Sequence, residues 1–260
     1  MCITNSVGPG GNNAAADVRS LQLLLNLNSG QRGFSCTLGT DGLWGAGTRG
    51  ALERFQQAVG SPVGKPVTPG DATLAALRVG LPGGLVAPKL WLALINASGA
   101  RIDAFHQPLL DVLTRYRIDT PLRIAHFLAQ IAHESGCLRY TEELASGSAY
   151  EGRKDLGNLQ AGDGPRFKGR GLIQLTGRAN YRQYGQACKR DFEGKDDPTL
   201  VSSDPALAVD VAGWFWANRK LNDWADKDDL REVTRRVNGG FNGLDDRAAY
   251  LARARWLLIG

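Results

Sequence analysis

The 260-residue chain holds one methionine, three histidines and four cysteines, and these shortages narrow its chemistry. Cys2, Cys36, Cys137 and Cys188 make no CxxC pair and no zinc-ligand spacing, so a zinc finger or ribbon is excluded. Four reduced thiols are expected, with a Cys137–Cys188 bridge left open. His133-Glu134 starts like HExxH, but its last position is Cys137, so the zinc-protease reading fails. No metal and no cofactor is expected. No apolar run approaches the roughly 20 residues that span a bilayer, so stable membrane insertion is not expected. The opening MCITNSVGPGGNNAAAD has neither the basic nor the apolar region of a secretory signal. A net charge of +5 lacks the dense Lys/Arg patterning of a nucleic-acid binder. Internal repeats and clear alternating strands are also missing.

What is present suits a soluble, mainly α protein. Hydrophobic residues make up 43% and charged residues 22%, enough to bury a sizeable core. Asp17 reads as an N-cap before Val18, Leu21 and Leu25. An Asp41-Gly42 turn follows, then Ala51, Leu52, Phe55 and Val59 on one helical face. Thr68-Pro69 reads as N-cap and first helical residue of a third helix. Residues 1–80 are thus a three-helix unit, 81–88 a Gly/Pro hinge, and 89–260 a larger helical domain. Within it, Thr120-Pro121 and Asp204-Pro205 open helices, Asp245 opens the last one, and a short hairpin is conceivable near 165–176. A helix-turn-helix reading of 17–59 fails because Arg49 and Arg54 are too few and Glu53 sits among them.

The stretch AHESGCLRYTEEL, 132–144, carries the chemistry. Ile124, Phe127 and Ile131 form an apolar stripe, and Glu134 falls at its border. His126, Gln130 and His133 fall on a more polar flank. A carboxylate half in apolar surroundings has its charged form disfavoured, which suits a general acid. Glu142, Glu143 and Glu151 are candidates for a second, ionised carboxylate, and such a pair cuts glycosidic bonds.

With AHESG, two further segments, FKGRGLIQLTGRANY (167–181) and VNGGFNGLDDR (237–247), resemble glycoside hydrolase family 19, which holds plant-type chitinases and many phage endolysins. The resemblance spans roughly 89–260. It implies a two-lobed, lysozyme-like helical fold and an inverting mechanism. By the same resemblance Glu134 matches the general acid, Glu143 the base, and Thr176 the hydroxyl that holds the attacking water, with Glu142 and Glu151 in reserve as base. Gln174, Asn180 and Asn238 match polar cleft residues, His133 joins the substrate-binding set, and Arg247 matches a cleft arginine near the base. Arg166, Lys168 and Arg170 read either as partners for acidic groups of a wall polymer or as a solvated loop.

Residues 17–77 resemble a three-helix peptidoglycan-binding domain through Asp41-Gly42-Leu43-Trp44-Gly45 and its flanks. Trp44 reads equally as a glycan contact or a core tryptophan. Taken together, these resemblances imply a monomeric modular endolysin that cleaves β-1,4 bonds of bacterial peptidoglycan. It would be held in a host cytoplasm until release to the periplasm and cell wall. The alternatives are a chitinase with the same chemistry and a non-catalytic wall-binding protein.

Overall fold

The computed structural model describes residues 1–259. It is mainly α-helical. Among the described residues the only extended pairings are isolated bridges, with no β-sheet. The chain divides into two compact units, Met1–Asn96 with the residues from Leu251 onward, and Ala97–Tyr250.

The first unit contains α1 (Ala15–Leu27), α2 (Ala46–Ala58), α3 (Ala72–Val79) and α4 (Ala87–Ala93), so it runs past the 81–88 segment. Val18, Leu21, Leu25, Leu52, Phe55 and Leu77 form its core, and Phe34 meets Phe55 edge-on at 5.2 Å. Asp17 does not cap α1. The helix starts two residues earlier, and the buried Asp17 carboxylate accepts the backbone N–H groups of Thr4 and Asn5 at 2.9 Å each. Likewise α3 is capped by Asp71, whose carboxylate also takes the Thr68 N–H. At Asp17 a distant loop claims the side chain, and at α3 a residue three places beyond Thr68 takes over the capping. Lys89 spends its ammonium on the carbonyls of Pro82 and Gly84, which fixes the 81–88 turn.

The second unit begins with α5 (Gly99–Arg115) and α6 (Pro121–Ser135). A loop region with 3-10 turns at Ser148–Tyr150 and Lys154–Leu156 comes next, then α7 (Asp163–Arg166), α8 (Arg178–Cys188) and α9 (Leu200–Ser203). It ends with α10 (Pro205–Asn218), α11 (Asn222–Ala225), α12 (Leu230–Asn238) and the first part of α13 (Leu244–Leu258). Thr120 and Asp204 cap α6 and α10 as their sequences predict, each followed by proline. Helix α10 packs along α5, and Phe127 of α6 meets Trp216 of α10 edge-on at 5.3 Å. Phe167, Tyr181, Tyr184, Phe192 and Val211 make a second cluster beneath the 170–176 turn. None of the four cysteines is in a disulfide, so no Cys137–Cys188 bridge forms.

No helix among the described residues is long and apolar enough to cross a membrane.

Candidate active site

Helix α6 is buried around its whole circumference between Ala125 and Ala132. The flank that reads as polar is therefore not a wet face. His126 pairs with Asp228 at 2.9 Å, and Gln130 faces Thr234 at 3.5 Å. Gly136, Cys137 and Leu138 all take left-handed φ values, of 57°, 57° and 65°. They stop the helix and turn the chain back. Glu134 stands in that last turn, its side chain 20% exposed. Its Oε1 accepts a hydrogen bond from Arg247 Nη2 at 2.5 Å. Arg247 is 1% exposed, and its Nη1 donates to Gln130 Oε1. The apolar ledge expected for Glu134 is thus a guanidinium, and Arg247 bonds the expected acid rather than the expected base. His133, one residue before, holds Asp246 at 2.7 Å, one residue before Arg247. Its ring lies where a Gly243 side chain would stand, since a Cβ there would be 2.0 Å from Cε1. The imidazole is a clamp between α6 and the start of α13 instead of a free sugar contact.

Glu143 is positioned by different means. Its backbone N–H donates to Gly169 O at 2.9 Å, and its Oε2 accepts from Gly169 N at 3.1 Å. Tyr150 donates its hydroxyl to Oε1 at 2.9 Å, and Lys168 donates to the Glu143 carbonyl at 3.0 Å. The loops stay together because Glu142 bridges Arg170, which bridges Leu175 in turn. The hairpin expected near 165–176 is reduced to this single antiparallel bridge between Arg170 and Leu175. A side chain at Gly169 would bring its Cβ to 2.8 Å from Gln174 Oε1, 3.2 Å from Glu143 Oε2 and 3.3 Å from Thr176 Oγ1. Three oxygens from three different positions therefore converge over one bare Cα. Gln174 is held there in the left-handed region, at φ 56°, a conformation that a non-glycine residue adopts at a cost.

The other acidic candidates have structural work. Glu142 pairs with Arg170 at 3.0 Å and Lys168 at 3.4 Å. Glu151 accepts the N–H groups of Gly162 and Gly164 at 2.7 Å each, at the start of α7. Arg170 is buried on Glu142, the Arg166 carbonyl and Tyr181, so it is no solvated loop arginine. Asn180 donates to Thr176 O at 2.7 Å. The Asn238 side chain is used within its own turn, donating to Asn242 O and accepting from Gly240 N. Trp44 is half-buried and belongs to the first unit. Sequence reasoning missed Tyr150 and Asp246, and gave Gln130 no role at the site. Only Gln130 left a local signal, four residues before Glu134 on the same helical face.

A family model described as "Chitinase class I", for glycoside hydrolase family 19, matches residues 118–230. That span holds Glu134, Glu143, Gln174, Thr176 and Asn180 but stops short of Asn238 and Arg247. A protein of Haemophilus influenzae named "Glycosyl hydrolase family 19 domain-containing protein" is 34% identical over 154 residues, 47% of this chain and 74% of that protein. "Chitinase 5" of Oryza sativa subsp. japonica is 33% identical over 100 residues, 38% of this chain and 34% of its own length. Among solved structures, chitinase C from Streptomyces griseus superposes with a TM-score of 0.55 at 22% identity, covering 66% of this chain and 91% of that one. The last likeness is one of fold.

Proposed function

The chain belongs to glycoside hydrolase family 19, and we propose that it hydrolyses β-1,4 bonds in chitin-type polysaccharide by a single inverting displacement. The observation that supports this reading is the convergence of Glu143 Oε2, Thr176 Oγ1 and Gln174 Oε1 over Gly169. A water resting there would have a carboxylate to take its proton and a hydroxyl to fix its orientation. Glu134 protonates the glycosidic oxygen as the bond to C1 breaks. Water attacks C1 from the opposite face and loses a proton to Glu143. The cycle ends with Glu134 ionised and Glu143 protonated, and exchange with solvent resets both. Inversion needs about 6.5–9.5 Å between the two carboxyl groups, so that a water fits on the far face of the sugar. Arg247 holds Glu134 in the free protein, so a bound glycan must compete with that ion pair before Glu134 can act as a donor.

Peptidoglycan, the substrate and partner expected from sequence, gives way to chitin. The relatives whose names state a substrate are chitinases, and none of those named above is an endolysin or muramidase. The muramidase reading drops out and the chitinase alternative leads. The test is proton NMR of freshly cleaved N-acetylglucosamine hexamer. The first product should carry the α-anomer at its new reducing end, and Glu134→Gln should stop the reaction. A β-anomer, or no cleavage of any chitin oligomer, overturns the proposal.

A further inference from the structure

A cavity of about 510 Å³ lies in the second unit between α5, the end of α8 and the start of α10. It shares no lining residue with Glu134, Glu143 or the turn around Gly169, and the reaction proposed above makes no use of it. Its size falls within the roughly 300–1,000 Å³ of sites for small organic ligands. Pro108, Val112 and Leu207 give it an apolar side. Six charged residues line the rest: Asp111, Asp204 and Asp210, with Arg115, Lys189 and Arg190. Their formal charges cancel, but the two signs are not equally available to a ligand.

The carboxylates are spent inside the fold. Asp210 is 5% exposed and accepts from Arg115 Nη1 at 2.7 Å and from the hydroxyls of Tyr116 and Tyr184 at 3.1 Å each. Burial above all, with the Asp210 charge adding to it, pushes both tyrosine hydroxyls upward, so they stay protonated as donors. Asp204 caps α10 through the Ala206 N–H, and Asp111 accepts from the Gln107 carboxamide. The cations are less committed. Arg115 gives Asp210 one nitrogen, and its side chain is 62% exposed. Arg190 reaches Asp196 at 3.3 Å. Lys189 is exposed, with no ion-pair partner among the described residues. Cys188 beside it offers no nucleophile, since burial pushes its thiol up and Sγ faces Gly185 O at 3.7 Å.

The backbone of Lys189 adds an independent observation. It ends α8 in the left-handed region, at φ 58° and ψ 42°. Glycine usually takes that position, because a side chain there costs free energy. Strain of this kind is characteristic of functional positions, and here it fixes an uncommitted ammonium at the edge of the cavity.

We propose that this cavity binds a small organic phosphate. The phosphoryl group meets Arg115, Lys189 and Arg190, and the carbon body lies on Pro108, Val112 and Leu207. A phosphate monoester carries nearly two negative charges at neutral pH and three acceptor oxygens, which answers three cations better than one carboxylate does. The site has its own residues and does not depend on the chitin reading.

The test is calorimetric titration of the full chain with phenyl phosphate, inorganic phosphate and benzylamine. Phenyl phosphate should bind most tightly, inorganic phosphate more weakly for want of the apolar contact, and benzylamine not at all. Lys189→Gly should weaken phenyl phosphate about tenfold. It should also raise the melting temperature by about 2–4 °C, because glycine adopts the left-handed conformation without strain. Arg190→Gln gives a second reading away from the strained residue and should weaken binding severalfold. Asp111→Asn should bind phenyl phosphate at least as tightly as the parent protein. The proposal is overturned if phenyl phosphate does not bind, or binds the parent, Lys189→Gly and Arg190→Gln alike. Inorganic phosphate matching phenyl phosphate, preference for benzylamine, or weaker binding by Asp111→Asn would overturn it as well.

Discussion

Glu134 and Glu143 stand on walls of opposite construction. Glu134 sits on a buried helix against a buried cation, and three polar pairs bind that helix to residues 228–247: Glu134–Arg247, His133–Asp246 and His126–Asp228. Glu143 sits on a loop, and its carboxylate is held by uncharged donors, the Tyr150 hydroxyl and the Gly169 N–H. The first wall carries a cost. Arg247 Nε is buried and finds no hydrogen-bond partner among the described residues, and leaving a donor in that state costs about 1–3 kcal/mol. A buried ion pair of this kind is weak evidence for stability. Its position beside the expected acid is better explained by chemistry. The difference teaches that two identical side chains acquire different tasks from their partners, one set by ionic pairing and one by neutral hydrogen bonds around a bare glycine.

The largest expected effect falls on both walls alike. Glu134→Gln and Glu143→Gln should each lower kcat for chitin oligomers by about 10²–10⁴, the usual range for loss of a general acid or base, or about 3–5 kcal/mol in barrier. Initial-rate assays on the hexamer check this. If only one substitution is severe, the paired roles are wrong. The second effect separates the walls. Arg247→Met removes one partner of a buried pair and should cost about 3–5 kcal/mol of stability, a fall in melting temperature on the order of 10 °C. A melt unchanged by this substitution would mean that the ionic wall is not what holds α6.

How much of this contrast was legible depends on the range of the interaction. Thr120-Pro121 and Asp204-Pro205 announced their helices because capping is settled within four residues. Asp17 and Thr68-Pro69 misled because chain distant from, or just beyond, the expected cap supplied better donors and acceptors. The three oxygens at Gly169 come from positions 143, 174 and 176, and no local pattern links the first to the others. Likewise Glu134 was placed correctly on its helix, yet the residue facing it lies 113 positions away. The sequence left three acidic residues open as partner. The structure occupies Glu142 with Arg170 and Glu151 with the start of α7, which leaves Glu143 facing Thr176.

A third prediction concerns what holds the loop wall in place. Asp163 takes two hydrogen bonds from Arg178, the first residue of α8, at 2.5 and 2.9 Å. That hydrogen bonding holds the Asp163 carboxyl below its ordinary value, against a smaller opposing effect of burial. A depressed folded-state value adds stability above the unfolded value, near 4, and the gain is lost as pH falls through the folded one. Asp163→Asn should therefore cost about 3 kcal/mol at pH 7. The gap to the parent protein should close as the pH falls below about 4. Melts across pH 2–8 test the sign, and a gap that persists undiminished at the acid end would refute it.

The two smallest effects ask which neighbours of Glu143 matter. Tyr150→Phe removes one hydrogen bond to the carboxylate and should lower kcat about two- to tenfold, with KM unchanged. Glu142→Gln should change kcat by less than about twofold and cost about 1 kcal/mol of stability, because a half-exposed ion pair is worth little. Arg170 would keep its bonds to the Arg166 carbonyl and the Tyr181 hydroxyl, so the bridge between the 142 and 170 loops should survive. Measured side by side with hexamer kinetics and thermal melts, the adjacent glutamates give the comparison its finest resolution. If Glu142→Gln abolishes turnover while the protein stays folded, the base has been assigned one residue too late, and the oxygens over Gly169 serve only to bind.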